Sequence, residues 1–211
     1  MNIDVLLPAN GPGFVTNNRG NNQFQFGQKS TIDAAERVAA AWIEKHPNRP
    51  FSIGQISNKG GGPMPPHKSH RLGVDVDVRP MRKDGANAPV TINDSNYDRE
   101  LTTELIALWW RLAPTQAVFF NDQTVIDAGL SRFVNGHHNH FHVRLRMKGD
   151  TLRIGDKGSD VAEVQSKLGM LEPDGVFGST MLHAVEQFQA EHQLDPDGVV
   201  GPNTFEALGL D

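Results

Sequence analysis

The 211-residue sequence predicts an α+β chain, an antiparallel sheet with flanking helices, followed by a small all-α domain of three helices. Three observations lead there. Short strand-like segments lie among helical ones without regular βαβ alternation. Two long segments carry apolar residues at helical spacing. After Met147 the texture turns polar and Gly-rich, and short helical segments follow.

The first helix is read from "STIDAAERVAAAWIEKHP", where Ile32, Ala35, Ala39, Trp42 and Ile43 share a face, Ser30 is the expected cap and Pro47 the stop. Strands are expected in "FSIGQIS" (51–57), "GVDVDVR" (73–79), "AVFFN" (117–121) and "HFHVRLR" (140–146), which alternate between Gly, Pro and Asn punctuation. The second helix, "NYDRELTTELIALWWRLAP", places Leu101, Leu105, Leu108 and Leu112 on one face and ends at Pro114, with Trp109 and Trp110 read as core.

A domain boundary is expected at 147/148, dividing residues 1–147 from a linker and three-helix domain over 148–211. Beyond it, "PDGVFGSTM" (173–181) and "PDGVVGPNT" (196–204) repeat Asp-Gly-Val-x-Gly before a helix, each Asp-Gly making a tight turn. Val164, Leu168, Val185, Phe188 and Leu208 are the expected core. The segment from Thr151 to Asp211 resembles the peptidoglycan-binding domain 1 family through "GDKGSDVAEVQSKLG", "DGVFG", "AVEQFQ" and "DGVVGPNTFEALG". It departs from its own repeat where Met181 stands in place of Thr204.

Composition excludes several functions. A net charge of −5 without any Lys/Arg-rich run argues against a nucleic-acid partner. No apolar run approaches the roughly 18 residues of a membrane span, and "MNIDVLLPANGPGF" lacks the basic and apolar regions of a signal peptide. A monomer is expected. With no cysteine, any metal must be held by His, Asp or Glu.

Six of the nine histidines fall in two windows, "HKSH" (67–70) and "HHNHFH" (137–142). Past His70, strand alternation puts Asp75 and Asp77 on one side and Val74, Val76 and Val78 on the other. In the second window His138, His140 and His142 share a face of an ideal strand, with His137 at the turn end. Two histidines and an aspartate suit zinc, with a fourth position left for water, whose pKa falls from about 15.7 toward about 7. Strand geometry alone leaves Asp75 and Asp77 equally eligible. "KGGGP" (59–63) either shapes a substrate groove or is a loop of no special role.

"GQISNKGGGPMPPHKSHRLGVDVDVR" with "GHHNHFHVRL" resembles the penicillin-insensitive murein endopeptidases, of the metallopeptidase group that includes lysostaphin-type enzymes, D-alanyl-D-alanine peptidases and hedgehog domains. The pattern is His, six residues, Asp and later His-x-His, met by His70, Asp77, His140 and His142. The resemblance implies that His70, Asp77 and His142 bind zinc, that His140 is a base or transition-state stabiliser, and that His67 and His137 line the site. It implies a D,D-endopeptidase cleaving D-alanyl-meso-diaminopimelyl cross-links of peptidoglycan. An L-alanyl-D-glutamate endopeptidase, a D,D-carboxypeptidase or a non-catalytic wall-binding protein are the alternatives. Without cysteine or a visible signal peptide, a phage endolysin is the expected setting, stored in the host cytoplasm and acting on the wall from the periplasm after release.

Overall fold

The computed structural model describes residues 2–17, 22–147 and 149–210; Met1, Lys148 and Asp211, which end the expected domains, lie outside them. Contacts divide the chain into two compact units, residues 1–112 with 117–145, and residues 113–116 with 146–211.

From the N-terminus the elements are β1 (Val5–Leu6), β2 (Asn10–Gly11), β3 (Phe14–Thr16), β4 (Phe26–Gly27), α1 (Lys29–Lys45), β5 (Phe51–Ile53), β6 (Asp75–Val78), α2 (Arg99–Leu112), β7 (Thr115–Phe119), α3 (Gln123–Asp127) and β8 (Phe141–Leu145). A six-stranded sheet has the order β2-β3-β5-β6-β8-β7, and β1 pairs with β4 in a small second sheet. The architecture is the α+β one expected, with a difference: β3 and β5 run parallel, whereas β2/β3, β5/β6 and β6/β8 are antiparallel. Parallel neighbours need a long crossover, and the connection containing α1 supplies it.

Helix α1 buries Ile32, Ala35, Val38, Ala39 and Trp42. Its cap is Gln28, so Ser30 falls inside the first turn and is not the cap. Gln28 does more than end the helix. Its backbone N donates to Gly73 O at 3.0 Å and its Nε2 to Leu72 O at 2.8 Å, tying the start of α1 to the residues that lead into β6. Gly73 sits at φ +67°, and a Cβ there would come within 2.5 Å of the Ile3 side chain, so glycine is required. In α2 the buried face is Thr102, Leu105, Ile106, Leu108 and Trp109. Leu101, Leu112 and Trp110 are only half-buried, because Thr102 and Ile106 turn the face away from the leucine stripe.

In the second unit, α4 (Ser159–Lys167), α5 (Ser179–Glu191) and α6 (Pro202–Ala207) surround Leu152, Val161, Val164, Phe177, Met181, Val185, Val200 and Leu208, with Leu168 and Phe188 packed against them. Each Asp-Gly turn is held by a buried glutamine. Gln165 receives Gly175 N at 2.8 Å and donates to Asp174 and Val176 O; Gln189 receives Gly198 N at 2.9 Å and donates to Asp197 and Val199 O.

Buried Asp122 caps α3, accepting from Thr124 N at 2.9 Å and from Arg99 Nε at 2.8 Å. Next to it, Asn121 holds the loop that carries His137: its N donates to His137 O at 2.9 Å and its Oδ1 accepts from Val134 N at 3.1 Å. Burial raises the Asp122 pKa, but Arg99 and the cap bond outweigh it and lower it overall. A lowered folded-state pKa stabilises above the ordinary carboxylate range and loses that contribution as pH falls through the folded value. Asp122→Ala is therefore expected to cost about 1–3 kcal/mol at neutral pH, with the gap from the parent closing in acid, as read by urea unfolding across pH.

Candidate metal centre

The site is built on the β6/β8 ladder. Asp77 pairs directly with His142, and Asp75 with Arg144, so alternation puts all four on one face. Asp77 Oδ1 is the point of convergence, 3.2 Å from His70 Nε2, 3.2 Å from His142 Nδ1 and 3.7 Å from His140 Nε2. His67, His70 and Asp77 each offer a ligand atom within 4.8 Å of the others, an arrangement that could hold a metal ion. The His67 and His70 rings are 4.6 Å apart, His70 and His142 4.7 Å, and His137 and His140 4.8 Å.

The tautomers suit a cation. His70 Nδ1 lies 2.8 Å from the Ile56 carbonyl, which can only accept, so Nδ1 carries the hydrogen and Nε2 turns its lone pair toward Asp77. In the neutral form of His142 the same logic applies: Nε2 donates to Asp75 Oδ1 at 2.8 Å and leaves Nδ1 facing Asp77. Among the described residues, His70 Nε2 and Asp77 Oδ1 are both buried without a hydrogen-bond partner, the condition that a bound cation would relieve. His70 takes a left-handed backbone, φ +61°, held by its N donating to Asp75 Oδ2 at 3.0 Å. Such a conformation is costly for a residue with a Cβ and persists where the surroundings enforce it.

Electrostatics follow from the geometry. Burial would lower the His142 pKa, but the Asp75 and Asp77 carboxylates outweigh it and raise it to about 9. Burial raises Asp77, yet His142 and His70 hold it far below the carboxylate range. Burial lowers His140 to about 4, Asp77 opposing and the neighbouring histidines adding to the shift, and burial likewise lowers His67 and His137.

A cleft of about 450 Å³ opens beside these groups, lined among others by Gly54, Gln55, His67, Asp77, Asn139 and His140. Gly54 N donates to Asp77 O at 2.6 Å, and a Cβ on Gly54 would sit 3.1 Å from that of Asp77, a tight contact that would press on the Asp77 side chain. Residues 59–63 do not line the cleft; Gly60 N and Gly62 N are bonded to Ile3 O and Arg71 O instead. His137 lies beside His140 and His142, whereas His138 is exposed and contributes its carbonyl to Ile92 N at 2.9 Å. Sequence reasoning missed the part played by Asp75. Its Oδ1 takes His142 Nε2 and Arg144 Nε, both at 2.8 Å, and its Oδ2 takes His70 N, which makes it the orienter of two histidines.

Residues 3–107 match the family described as penicillin-insensitive murein endopeptidase, and residues 157–208 the putative peptidoglycan binding domain. The first unit is thus similar to that murein endopeptidase family over most of its length. The match includes His67, His70 and Asp77 and ends before β8, whose His140 and His142 the fold brings to the same place. Among solved structures the chain is similar to a Burkholderia AP3 phage endolysin (43% identity over 28% of this chain and 24% of that one, TM-score 0.27). It is also similar to a fused Zn-dependent amidase/peptidase/peptidoglycan-binding domain-containing protein from Clostridium acetobutylicum (35% identity over 29% of each, TM-score 0.28). The SleB N-terminal domain is a third such structure (32% identity over 30% of this chain and 94% of that one, TM-score 0.29). The chain thus spans about a quarter of the phage endolysin it matches.

In this murein endopeptidase relative, Asp75→Asn removes the charge that fixes His142 and is expected to weaken divalent-metal binding by about 10–100-fold. Metal titration, with circular dichroism as the check on folding, reads the effect.

Proposed function

We propose that the protein is a zinc-dependent D,D-endopeptidase that cleaves the D-alanyl-meso-diaminopimelyl cross-links of peptidoglycan, with the second unit holding it on the wall. The observation that carries the proposal is the meeting of His70 Nε2 and His142 Nδ1 at Asp77 Oδ1, next to a cleft. Two imidazoles, His142 giving up its second proton when a cation binds, and one carboxylate are a donor set that suits zinc and leaves a position open. When bound, zinc polarises the scissile carbonyl and acidifies a water.

The chain's own groups divide the remaining work. His140 faces the cleft 3.7 Å from Asp77, with Nδ1 2.8 Å from Asn139 Oδ1, and so presents Nε2 for proton transfer. His67 lines the same cleft and His137 backs His140. His67 as a ligand in place of His142 is a second reading with its own support, the grouping of His67, His70 and Asp77 within 4.8 Å. Metal content separates the two: we expect His142→Ala to lose the metal and His67→Ala to retain it. With no serine acyl-enzyme in the scheme, β-lactams should not inhibit. The setting we propose is lysis of a bacterial host by a phage, the protein residing in the host cytoplasm before release; its lack of cysteine suits a reducing compartment.

The direct test is turbidity loss of permeabilised Gram-negative cells, with mass spectrometry of the released muropeptides. Chelation should abolish activity and zinc restore it. Asp77→Ala should be inactive, and lysis by that variant would sink the metal mechanism. His140→Ala should keep the metal while kcat falls about 10²–10⁴-fold. New termini at a bond other than the D-alanyl cross-link would overturn the assigned specificity.

A further inference from the structure

We propose that Arg79 is the specificity residue of the cleft, binding the free carboxylate of the substrate residue that supplies the scissile amide nitrogen; this rests on the endopeptidase reading above. Among the described residues lining the cleft, Arg79 is the one arginine or lysine. The rest of the lining is amide, apolar or imidazole, apart from Asp77 itself. Two of the amides are engaged in the wall, Gln25 Nε2 donating to Gly54 O at 2.7 Å and Asn139 Oδ1 meeting His140 Nδ1 at 2.8 Å. Arg79 is therefore the one fixed positive charge among the described residues of the lining, the group best suited to a negative partner.

Its placement suits that role. Arg79 follows β6 directly and continues the alternation of Asp75 and Asp77, about 6.6 Å along the strand from Asp77. Its backbone N donates to Ser52 O at 2.9 Å, which fixes the start of the side chain, and its Nη1 donates to Asn87 Oδ1 at 3.2 Å, outside the cleft lining, so one guanidinium nitrogen is already engaged while the residue borders the cleft. A guanidinium offers five donors in a planar fork matched to a carboxylate. An extended peptide advances about 3.3–3.6 Å per residue, so a group anchored at Arg79 lies within about two residues of a bond held at Asp77. In a D-alanyl-meso-diaminopimelyl link, the carbon bonded to the scissile nitrogen carries a free carboxylate, which falls inside that reach. The cleft should then favour the acid over the corresponding carboxamide.

Calorimetry on the full-length chain, stripped of metal so that nothing is cleaved, provides the test. Two ligands are compared, a cross-linked peptide dimer with that carboxylate free and the same dimer with it amidated. The parent protein is expected to bind the acid about 10–100-fold more tightly, Arg79→Gln to bind both with the amide's affinity, and Arg79→Lys to lie between, with unchanged melting temperatures. Equal binding of the two ligands by the parent, or a preference kept in Arg79→Gln, overturns the assignment, as does binding of neither. Cleavage by the zinc-loaded parent is followed in parallel. Discrimination without cleavage would leave Arg79 as the anion site and remove the endopeptidase reading; cleavage without discrimination would do the reverse.

Discussion

The antiparallel register between β6 and β8 is the constraint on which the rest depends. It sets Val76 opposite Val143 and Val78 opposite Phe141 on one face, all four fully buried. The same register sets Asp77 opposite His142 and Asp75 opposite Arg144 on the other. Because side chains alternate with a period of two, a slip of one residue would send the carboxylates into the apolar core and the valines into the site. The apolar core thus fixes the positions of the polar groups. A donor set drawn from residues 65 positions apart can hold its geometry because hydrophobic packing fixes the ladder.

The face carrying the site is itself expensive. Asp75 and Asp77 are both nearly excluded from solvent, and a buried carboxylate is unfavourable unless paired. Asp75 is fully employed, taking His142, Arg144 and the backbone of His70. Asp77 is not, since among the described residues its Oδ1 has no hydrogen-bond partner while three imidazoles crowd within 3.7 Å. The asymmetry separates the two aspartates by function: one spends its lone pairs on orienting neighbours, and the other keeps a lone pair aimed at the place where a cation would sit. His70 bridges the two roles, its left-handed backbone presenting N to Asp75 and its ring to Asp77.

Much of this was legible in the sequence, and the limits have physical causes. The α+β class, both long helices and the four strands between residues 51 and 146 follow from periodicity, although β5 and β6 are shorter than the apolar runs that announced them. Alternation placed Asp75 and Asp77 on one face but could not rank them, because ligand and orienter differ only in which neighbours arrive from β8 and from the turn at His70. The turn before β8 separates His137 from His138, one beside His140 and the other exposed, a distinction invisible while the segment is treated as ideal strand. Backbone partners such as the Ile56 carbonyl leave no side-chain signature at all. The parallel β3/β5 pair was hidden for a related reason: β3, the partner that the sequence did not announce, has three residues, too few side chains to show a period.

The second unit shows the complementary case, in which a repeat is plain in sequence and the device that maintains it is not. Both Asp-Gly turns are pinned by a glutamine on the preceding helix, Gln165 nine residues before Asp174 and Gln189 eight before Asp197. The differing spacing conceals the equivalence from a search at fixed offset. Each glutamine accepts from the glycine N and donates to the aspartate and to a carbonyl beyond it, so a buried polar side chain satisfies the turn's backbone groups where water cannot. The Met181/Thr204 departure fits this scheme. Thr204 adds an oxygen 3.2 Å from Gln189 Nε2, whereas Met181 joins the apolar core and leaves Gln165 with Asp174 and Val176. The two repeats therefore share the polar lock on the turn and differ in what backs it, a further polar contact to Thr204 in one and hydrophobic packing in the other.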